Sequence, residues 1–315
     1  MDPDETAAQL GFVELMAALR QGFATGCQVP VRHHHTMRRE GEPDATLLLM
    51  PAWTNSDEPE QFLGVKVVTV VPGNSARNLP GLVSTYMLYD ARTGQQLALM
   101  DGNTITGRRT AATSALAASY LSRANSTRLL VIGAGRVGSL LPGAYRAVRP
   151  IEEVEVWDTN PEAAERMVEK LKGSGVYALV ANDLEKAVRS ADIISAATLA
   201  TIPMICGEWL GRGTHVDLIG GFTPKMREAD DDAIRGAAIY VDSPTALHEA
   251  GDLVQPIGAG VIGKDAICAT LSDLCRGTGV GRVDSSQITL FKAVGSALAD
   301  LVAATMAYKS FHRQA

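Results

Sequence analysis

The chain has 315 residues, which is long enough for two domains that each bury a core. Hydrophobic residues make up 46% of it and charged residues 20%, a balance that is typical of a globular protein and excludes a disordered one. The net charge of −6 argues against a nucleic-acid partner. Because no apolar run approaches the ~20 residues of a membrane span, we also expect no membrane partner.

The cysteines and the N-terminus bear on the compartment. Four cysteines are spread along the chain, at Cys27, Cys206, Cys268 and Cys275. None belongs to a C-x-x-C pair, which is typical of reduced thiols, and the acidic N-terminus lacks the basic start of a signal peptide. We therefore expect a cytoplasmic protein. The run His33-His34-His35 makes a poor metal site, since neighbouring side chains of a strand point to opposite faces, and we expect no metal.

The first third of the chain predicts a helix followed by a sheet. Helical spacing covers residues 7–23, and short strands follow at 46–50, 62–71, 83–89 and 96–100. Turn residues separate the strands, which indicates an antiparallel sheet. An alanine-rich stretch over 106–122 predicts one long helix.

A glycine-rich turn follows the next strand. Four apolar residues, 129–132, lead directly into Gly133-Ala134-Gly135-Arg136-Val137-Gly138. In a dinucleotide-binding turn the first glycine permits the tight bend, the second lets the backbone approach a pyrophosphate, and the third lets the next helix pack closely. A second strand, ending at Asp158, follows the predicted helix. This order of strand, turn, helix, strand and acid predicts a bound dinucleotide.

Strands and helices alternate through the second half of the chain. Strands are predicted at 128–132, 153–157, 176–180, 192–196, 214–219 and 238–242, and helices at 136–147, 161–172, 183–190 and 229–235. This alternation predicts a doubly wound parallel sheet. We expect Pro142 to bend the first of these helices, and residues 288–308 to form a final helix that returns to the N-terminal domain.

Asp158 bears on the choice of dinucleotide. A carboxylate at the end of this strand accepts hydrogen bonds from ribose hydroxyls and repels a 2′-phosphate. No arginine follows directly to hold that phosphate, so we expect NAD, with NADP less favoured. The alternative is that Asp158 caps the helix beginning at Pro161, although Asn160 fits that N-cap better.

Several segments together resemble the ornithine cyclodeaminase/mu-crystallin family. They are the glycine turn and residues 97–115, 197–201, 220–228 and 288–295, in the family's order, and the likeness runs from about residue 30 to residue 304. The most specific block is Thr106-Gly107-Arg108-Arg109-Thr110-Ala111-Ala112. The resemblance implies an α/β protein with a Rossmann domain, a doubly wound parallel sheet over 116–287. It implies a mixed α+β substrate and dimerisation domain over 1–115, completed by helix 288–315, and a homodimer.

The resemblance also implies a chemistry. Members of the family transfer hydride between a nicotinamide and the α-carbon of an amino or imino acid. We expect an NAD(P)-dependent oxidoreductase of the ketimine reductase or amino-acid dehydrogenase type. One alternative is a true ornithine cyclodeaminase, which converts ornithine to proline and ammonia. A second is a non-enzymatic dimer that binds a dinucleotide and a ligand, as mu-crystallin does with hormone.

Three cations correspond to the family's substrate-binding positions. Arg32 and Arg109 resemble the carboxylate-binding arginines, and Lys66 resembles the substrate-binding lysine. We expect Lys66 to be catalytic as well. A guanidinium can make two parallel bonds to a carboxylate, and an ammonium beside the α-carbon can polarise an imine. Lys66 lies mid-strand among valines, where an unpaired charge is costly, which supports a functional role. Arg32 could instead be a surface charge.

Two departures from the family bear on the substrate. Members that use ornithine carry an acid two residues before a Met-Pro pair and another after the Gly-Gly pair, where this chain has Leu48 and Phe222. A diamine's second ammonium would then lack a partner, so a small, apolar or cyclic α-imino acid fits better. Asp217, expected at a strand end facing the cofactor crevice, could serve as the missing catalytic acid or merely cap a turn.

The remaining assignments concern the cofactor. Thr198 and Leu199 follow the strand at 192–196, and we expect them near the nicotinamide ribose. Lys292 and Gly295 resemble the family's C-terminal cofactor-contacting segment, although Lys292 could equally be a surface residue of the final helix.

Overall fold

The computed structural model describes residues 1–77 and 79–314. In chain order the helices and strands are α1 Pro3–Ala8, α2 Phe12–Thr25, β1 His33–Met37, β2 Ala45–Trp53, β3 Phe62–Val70, β4 Leu82–Asp90, β5 Gln96–Asp101, α3 Gly102–Leu121, β6 Arg128–Ile132, α4 Leu141–Arg146, β7 Glu153–Trp157, α5 Pro161–Gly173, β8 Ala178–Val180, α6 Leu184–Ser190, β9 Ile193–Ala196, β10 His215–Leu218, α7 Asp231–Arg235, β11 Ala238–Val241, α8 Ala246–Glu249, α9 Gly251–Gly258, β12 Ile267–Thr270, α10 Leu271–Arg276, β13 Thr289–Lys292 and α11 Ala297–Gln314. Within the described residues, no helix is long and apolar enough to cross a membrane.

The chain divides into two compact units. One comprises Met1–Arg109 and Ser296–Ala315, and the other comprises Thr110–Gly295. These boundaries differ by several residues from the expected ones at 115 and 287. The first lies inside the continuous helix α3, where no change of composition marks it. The second follows a strand that the sequence pattern assigned to the final helix.

The N-terminal unit is an antiparallel sheet covered on one face by helices. Its strand order is β1-β2-β3-β4-β5, and neighbouring strands are antiparallel, as the turn residues predicted. Helices α2 and α11 pack on each other, and α11 lies against β2 to β5. Alternate residues of β3, among them Lys66 and Val68, are buried on the helix-covered face, while the residues between them are partly exposed.

The second unit is an eight-stranded parallel sheet in the order β12-β11-β13-β10-β9-β6-β7-β8. This confirms the predicted Rossmann-type fold. The order reverses at β6, which pairs with β7 on one side and β9 on the other. In such sheets a crevice opens at this reversal, beyond the carboxyl ends of the strands, and ligands bind there.

Two local predictions were wrong. Residues 289–292 form the interior strand β13, and the final helix begins only at Ala297. A short, fully buried apolar strand has no alternation that separates it from a helix, so periodicity cannot distinguish them. Pro142 does not bend a helix, because a short 3₁₀ turn at Gly138–Leu140 precedes α4 and leaves Pro142 in the first turn of α4, where no N–H is needed.

Candidate active site

The glycine turn forms one wall of a pocket of about 420 Å³ in the second unit. Gly133 has φ +102°, a conformation that favours glycine, and a Cβ on it would lie 2.7 Å from the Ala197 carbonyl oxygen. A Cβ on Gly138 would lie 1.8 Å from the Gly133 oxygen, so the next turn packs directly on the strand end. Gly135, by contrast, faces open space. These residues fit a dinucleotide, because the turn is closed behind and open where a pyrophosphate would approach.

The same pocket brings together three more of the residues predicted to contact the dinucleotide. Its lining includes Asp158, Thr198 and Leu199 beside the glycines. The Asp158 carboxylate accepts hydrogen bonds from the Ala134 N–H at 2.7 Å and the Asn160 N–H at 2.8 Å. Asp158 thus braces the glycine turn. Of the other turn residues, Arg136 is exposed and Val137 is half-buried.

The N-terminal unit contains a buried cluster of charges on the helix-covered face of its sheet. Lys66 of β3 and Arg109 of α3 each contact Asp300 of α11, with Lys66 Nζ 2.7 Å from one carboxylate oxygen and Arg109 Nε 2.7 Å from the other. All three side chains are almost fully buried. Burial lowers the pKa of Lys66 to about 8, against the opposing effect of Asp300. Although burial would raise the pKa of Asp300, Arg109 and Lys66 hold it below its usual value.

The sequence analysis missed Asp300 and also Tyr86. Tyr86 is paired with Lys66 across β3 and β4, and its buried hydroxyl has no hydrogen-bond partner among the described residues. Its ring lies over Gly64, where a Cβ would meet the hydroxyl oxygen at 1.9 Å. The signal for Asp300 was an acid within an otherwise apolar stretch of the final helix, Ala297-Leu298-Ala299-Asp300-Leu301. Nothing in the sequence singled out Tyr86.

Two further predicted substrate residues lie near this cluster. Arg32 is half-buried just before β1, and its charge helps to lower the pKa of Lys66. Leu48 of β2 is half-buried and pairs with Val68, whose side chain shares a face with Lys66. Leu48 therefore provides an apolar surface next to the cluster. Phe222 belongs to the other unit, where it is 44% exposed in the loop after β10.

Asp217 does not face the crevice, contrary to expectation. It is fully buried within β10 and accepts hydrogen bonds from the hydroxyls of Ser114, Tyr145 and Ser195. Burial raises its pKa to about 6, and these hydroxyls oppose the rise. Because its oxygens are already bonded inside the unit, Asp217 joins α3, α4 and the sheet. This buried environment does not support the role of the missing catalytic acid.

Lys292 and Gly295 also lie away from the pocket lining. Lys292 is fully buried in β13, with Nζ 3.0 Å from an oxygen of Asp252, so it is not a surface residue of a helix. Gly295 has φ +83°, and its N–H donates to Asp242 at 2.7 Å. Both residues contribute to the interior of the unit.

Comparison with known proteins agrees with this geometry. The model of the ornithine cyclodeaminase/mu-crystallin family matches residues 4–315. A Δ1-pyrroline-2-carboxylate reductase of Colwellia psychrerythraea is 37% identical, over 96% of this chain and 95% of its own. Ketimine reductase mu-crystallin of Rattus norvegicus is 33% identical, over 94% and 89%.

Among solved structures, Thermococcus litoralis Δ1-pyrroline-2-carboxylate reductase in complex with NADH and L-proline is similar, with a TM-score of 0.93 and 32% identity. The match covers 100% of this chain and 97% of that one. The chain therefore belongs to the ornithine cyclodeaminase/mu-crystallin family.

Proposed function

We propose that this protein reduces cyclic α-imino acids, such as Δ1-pyrroline-2-carboxylate, to the corresponding amino acids with NADH. The protein is an NAD(P)-dependent imino- or amino-acid oxidoreductase, as its family and its reductase relatives indicate. Its cofactor is NAD, since the similar reductase of T. litoralis is in complex with NADH. The ring-shaped substrate and the direction of reaction are the finer proposal.

The uneven charge of the buried cluster carries this proposal. Among the described residues of the N-terminal unit, the buried charged side chains are Lys66, Arg109 and Asp300. Two cations thus share one carboxylate, and Arg32 adds a further positive charge nearby. A buried excess of positive charge is costly unless an anion balances it. An α-carboxylate of the substrate is such an anion, and a guanidinium suits its planar shape.

Imine reduction also requires a proton. A nicotinamide held at the glycine turn would supply the hydride for the imine carbon, and the nitrogen must gain a proton as the C=N double bond becomes a single bond. Lys66, with a pKa of about 8, is protonated at neutral pH yet can release its proton, which suits a donor to that nitrogen. Asp300 holds the ammonium in place while the arginines bind the carboxylate.

The apolar positions favour an imino acid over ornithine. Leu48 lies in the row of side chains beside Lys66, and Phe222 replaces the acid of the ornithine-using members. A distal ammonium would find no carboxylate at either position. Specific sites reject a ligand whose charge remains unpaired. A non-enzymatic dimer that binds an apolar ligand would not need this buried cationic cluster, so the cluster disfavours that alternative.

Asp158 supports NAD over NADP. Its two oxygens accept one backbone N–H each, which leaves further lone pairs for ribose hydroxyls. A 2′-phosphate in the same place would be repelled by the carboxylate.

Two further proposals concern the assembly and the compartment. The sheet face opposite α11, here called the outer face, carries partly exposed apolar side chains, including Leu49, Val67, Val83 and Leu99. Such a patch supports a homodimer. Among the described residues none of the four cysteines forms a disulfide, which supports the cytoplasm.

The decisive experiment is a substrate panel with the purified protein. Δ1-pyrroline-2-carboxylate, its ring-expanded homologue, pyruvate with ammonia, and ornithine are each tested with NADH and NADPH by absorbance at the nicotinamide band. We expect the cyclic imines with NADH to give the highest kcat/KM. Efficient release of ammonia and proline from ornithine would overturn the proposal in favour of a cyclodeaminase, and equal use of NADPH would refute the role of Asp158.

A charge substitution tests the substrate argument directly. The double variant Leu48→Glu/Phe222→Asp restores both acids, and we expect it to raise ornithine turnover while reducing turnover of the cyclic imine. The matched control is Leu48→Gln/Phe222→Asn, which has nearly the same shape without the charge. If both variants gain ornithine activity equally, charge is not the basis of selection.

A further inference from the structure

The second unit contains a buried charged network behind its dinucleotide pocket. Glu228, Asp252 and Lys292 are all fully buried, and none of them lines the pocket. Burying charged side chains costs free energy of desolvation, so a network of three of them calls for a functional explanation. Its position next to Thr198 suggests one.

Glu228 joins two loops that follow neighbouring strands. One oxygen of its carboxylate accepts hydrogen bonds from the Thr198 N–H at 2.8 Å and the Thr198 hydroxyl at 2.9 Å. The other oxygen accepts the Gly220 N–H at 2.8 Å. Thr198 follows β9 and lines the pocket, whereas Gly220 follows β10. A single carboxylate therefore fixes the pocket loop to the adjacent loop.

The two loops are packed closely against each other. A Cβ on Gly220 would lie 1.9 Å from the Thr198 carbonyl oxygen and 2.4 Å from the Glu228 carboxylate. The backbone of the pocket loop thus lies directly on Gly220. A small displacement of the Glu228 carboxylate would move Thr198, because both ends of the link are in close contact.

Asp252 and Lys292 hold Glu228 in turn. One oxygen of Asp252 accepts the N–H groups of Glu228 at 2.7 Å and Ala229 at 3.2 Å. Lys292 Nζ lies 3.0 Å from the other oxygen. The chain of contacts runs from β13 through α9 to Glu228 and then to the pocket loop. This gives Lys292 an indirect link to the cofactor site.

We propose that Glu228 is a positioning residue for NAD(H), whose ionised carboxylate sets the Thr198–Ala200 part of the pocket. The proposal rests on the dinucleotide site of the proposed function. An ionised carboxylate accepts all three hydrogen bonds, whereas a protonated one places a proton on an oxygen that accepts a backbone N–H. Loss of the charge therefore loosens the loop and weakens dinucleotide binding.

The electrostatic surroundings supply a second readout. Burial raises the pKa of Glu228 to about 7, with Lys292 opposing the rise and Asp252 adding to it. The charged groups that face Glu228 are Asp252 from α9 and Lys292 from β13. Because dinucleotide binding favours the ionised form, protonation competes with it. NADH affinity should therefore fall as the pH drops below about 7.

Fluorescence titration of NADH against pH tests the proposal. We expect Glu228→Gln to raise the Kd for NADH about tenfold or more at pH 8, the effect of losing a hydrogen bond to a charged acceptor. The acid fall in affinity should also disappear. At saturating NADH we expect a smaller loss of kcat, since the buried cluster of Lys66, Arg109 and Asp300 in the N-terminal unit is unchanged. Glu162→Gln, an exposed change on α5, is the matched control and should bind as the unaltered protein does.

A second variant keeps the test decisive if Glu228→Gln does not fold. Thr198→Val removes the hydroxyl donor but leaves the backbone bond, so it should raise the pKa of Glu228 and move the acid fall to higher pH. Unaltered NADH affinity with an unaltered pH profile in either folded variant would overturn the inference. Failure of the unaltered protein to bind NADH at any pH would instead refute the proposed function.

Discussion

At the scale of single residues, Asp300 determines how Lys66 can act. The ammonium is buried, and burial alone favours its neutral form. The Asp300 carboxylate at 2.7 Å opposes this effect, and the pKa of Lys66 is about 8. Lys66 is therefore charged when it binds an anion at neutral pH. Because its pKa of about 8 is close to neutral pH, the Lys66 ammonium can also give up its proton.

This arrangement predicts the alkaline limb of the pH–rate profile. If protonated Lys66 is required, kcat/KM for a cyclic imine should fall as the pH rises through about 8. Asp300→Asn removes the charge that favours the ammonium, so the limb should move to lower pH by about 1–3 units. The profile of the folded variant measures the shift.

The variant will also be less stable, because it leaves two buried cations without their carboxylate, at a cost of about 3–5 kcal/mol. The profile is therefore recorded below the melting temperature of the variant. Asp57→Asn, an exposed change in the same unit, controls for surface charge. An unchanged limb in Asp300→Asn would show that Lys66 is not the titrating group.

The sequence pointed to Lys66 of this cluster but not to Asp300. Lys66 was identified by its resemblance to the family's substrate-binding lysine, and its position among valines in a strand, where an unpaired charge is costly, supported that role. Asp300 is 234 residues away in sequence from Lys66, on a helix, and no local pattern connects them. Asp217 shows the converse, since its position in a strand indicated a catalytic role, while the hydroxyls that bond it come from distant segments. Position in an element can be predicted, but long-range partners cannot.

At the scale of elements, the glycine turn separates folding from binding. Gly138 packs against the backbone of Gly133, whereas a Cβ on Gly135 would face open space. Gly138 thus permits the close contact between the 3₁₀ turn and β6. Gly135 leaves space for a ligand that approaches from the open side.

This difference predicts opposite outcomes for two alanine variants. Gly138→Ala should lower the free energy of unfolding by about 1–3 kcal/mol, because the new methyl group overlaps a backbone oxygen. Gly135→Ala should leave it within about 0.5 kcal/mol but weaken NADH binding strongly, because the methyl group occupies the path of the pyrophosphate. Chemical denaturation and NADH titration measure the two effects. If Gly135→Ala binds NADH normally, the dinucleotide lies elsewhere.

Long alternating elements could be predicted from the sequence, whereas short buried ones could not. The strands β6, β7 and β9 and the helices between them followed from clear changes of period. The strands β12 and β13 were missed, since a few buried residues give no period. Pro142 was misjudged because the 3₁₀ turn Gly138–Leu140 before it was not predicted from the sequence.

At the scale of the whole molecule, the outer face of the antiparallel sheet carries exposed apolar side chains among the described residues. Helix α11, together with α2, packs on one side of the sheet. The side chains of β3 and β4 alternate accordingly between buried and more exposed. On the outer face Val83 is 48% and Leu99 51% exposed, on adjacent strands. An antiparallel sheet that ends at water carries polar residues on its outer face. Apolar residues there are better explained by a second copy of the chain, which would cover them with an identical surface.

We therefore expect a homodimer that depends on this face. Val83→Lys/Leu99→Lys should yield a folded monomer at concentrations where the unaltered protein is dimeric, because desolvating two ammonium groups opposes association. Light scattering gives the mass, and circular dichroism confirms that the fold is kept. Val13→Lys changes an exposed valine of α2, outside the outer face, and should remain dimeric. A double variant that is still dimeric would place the interface on another surface, and loss of the dimer in Val13→Lys alone would assign it to the helical side.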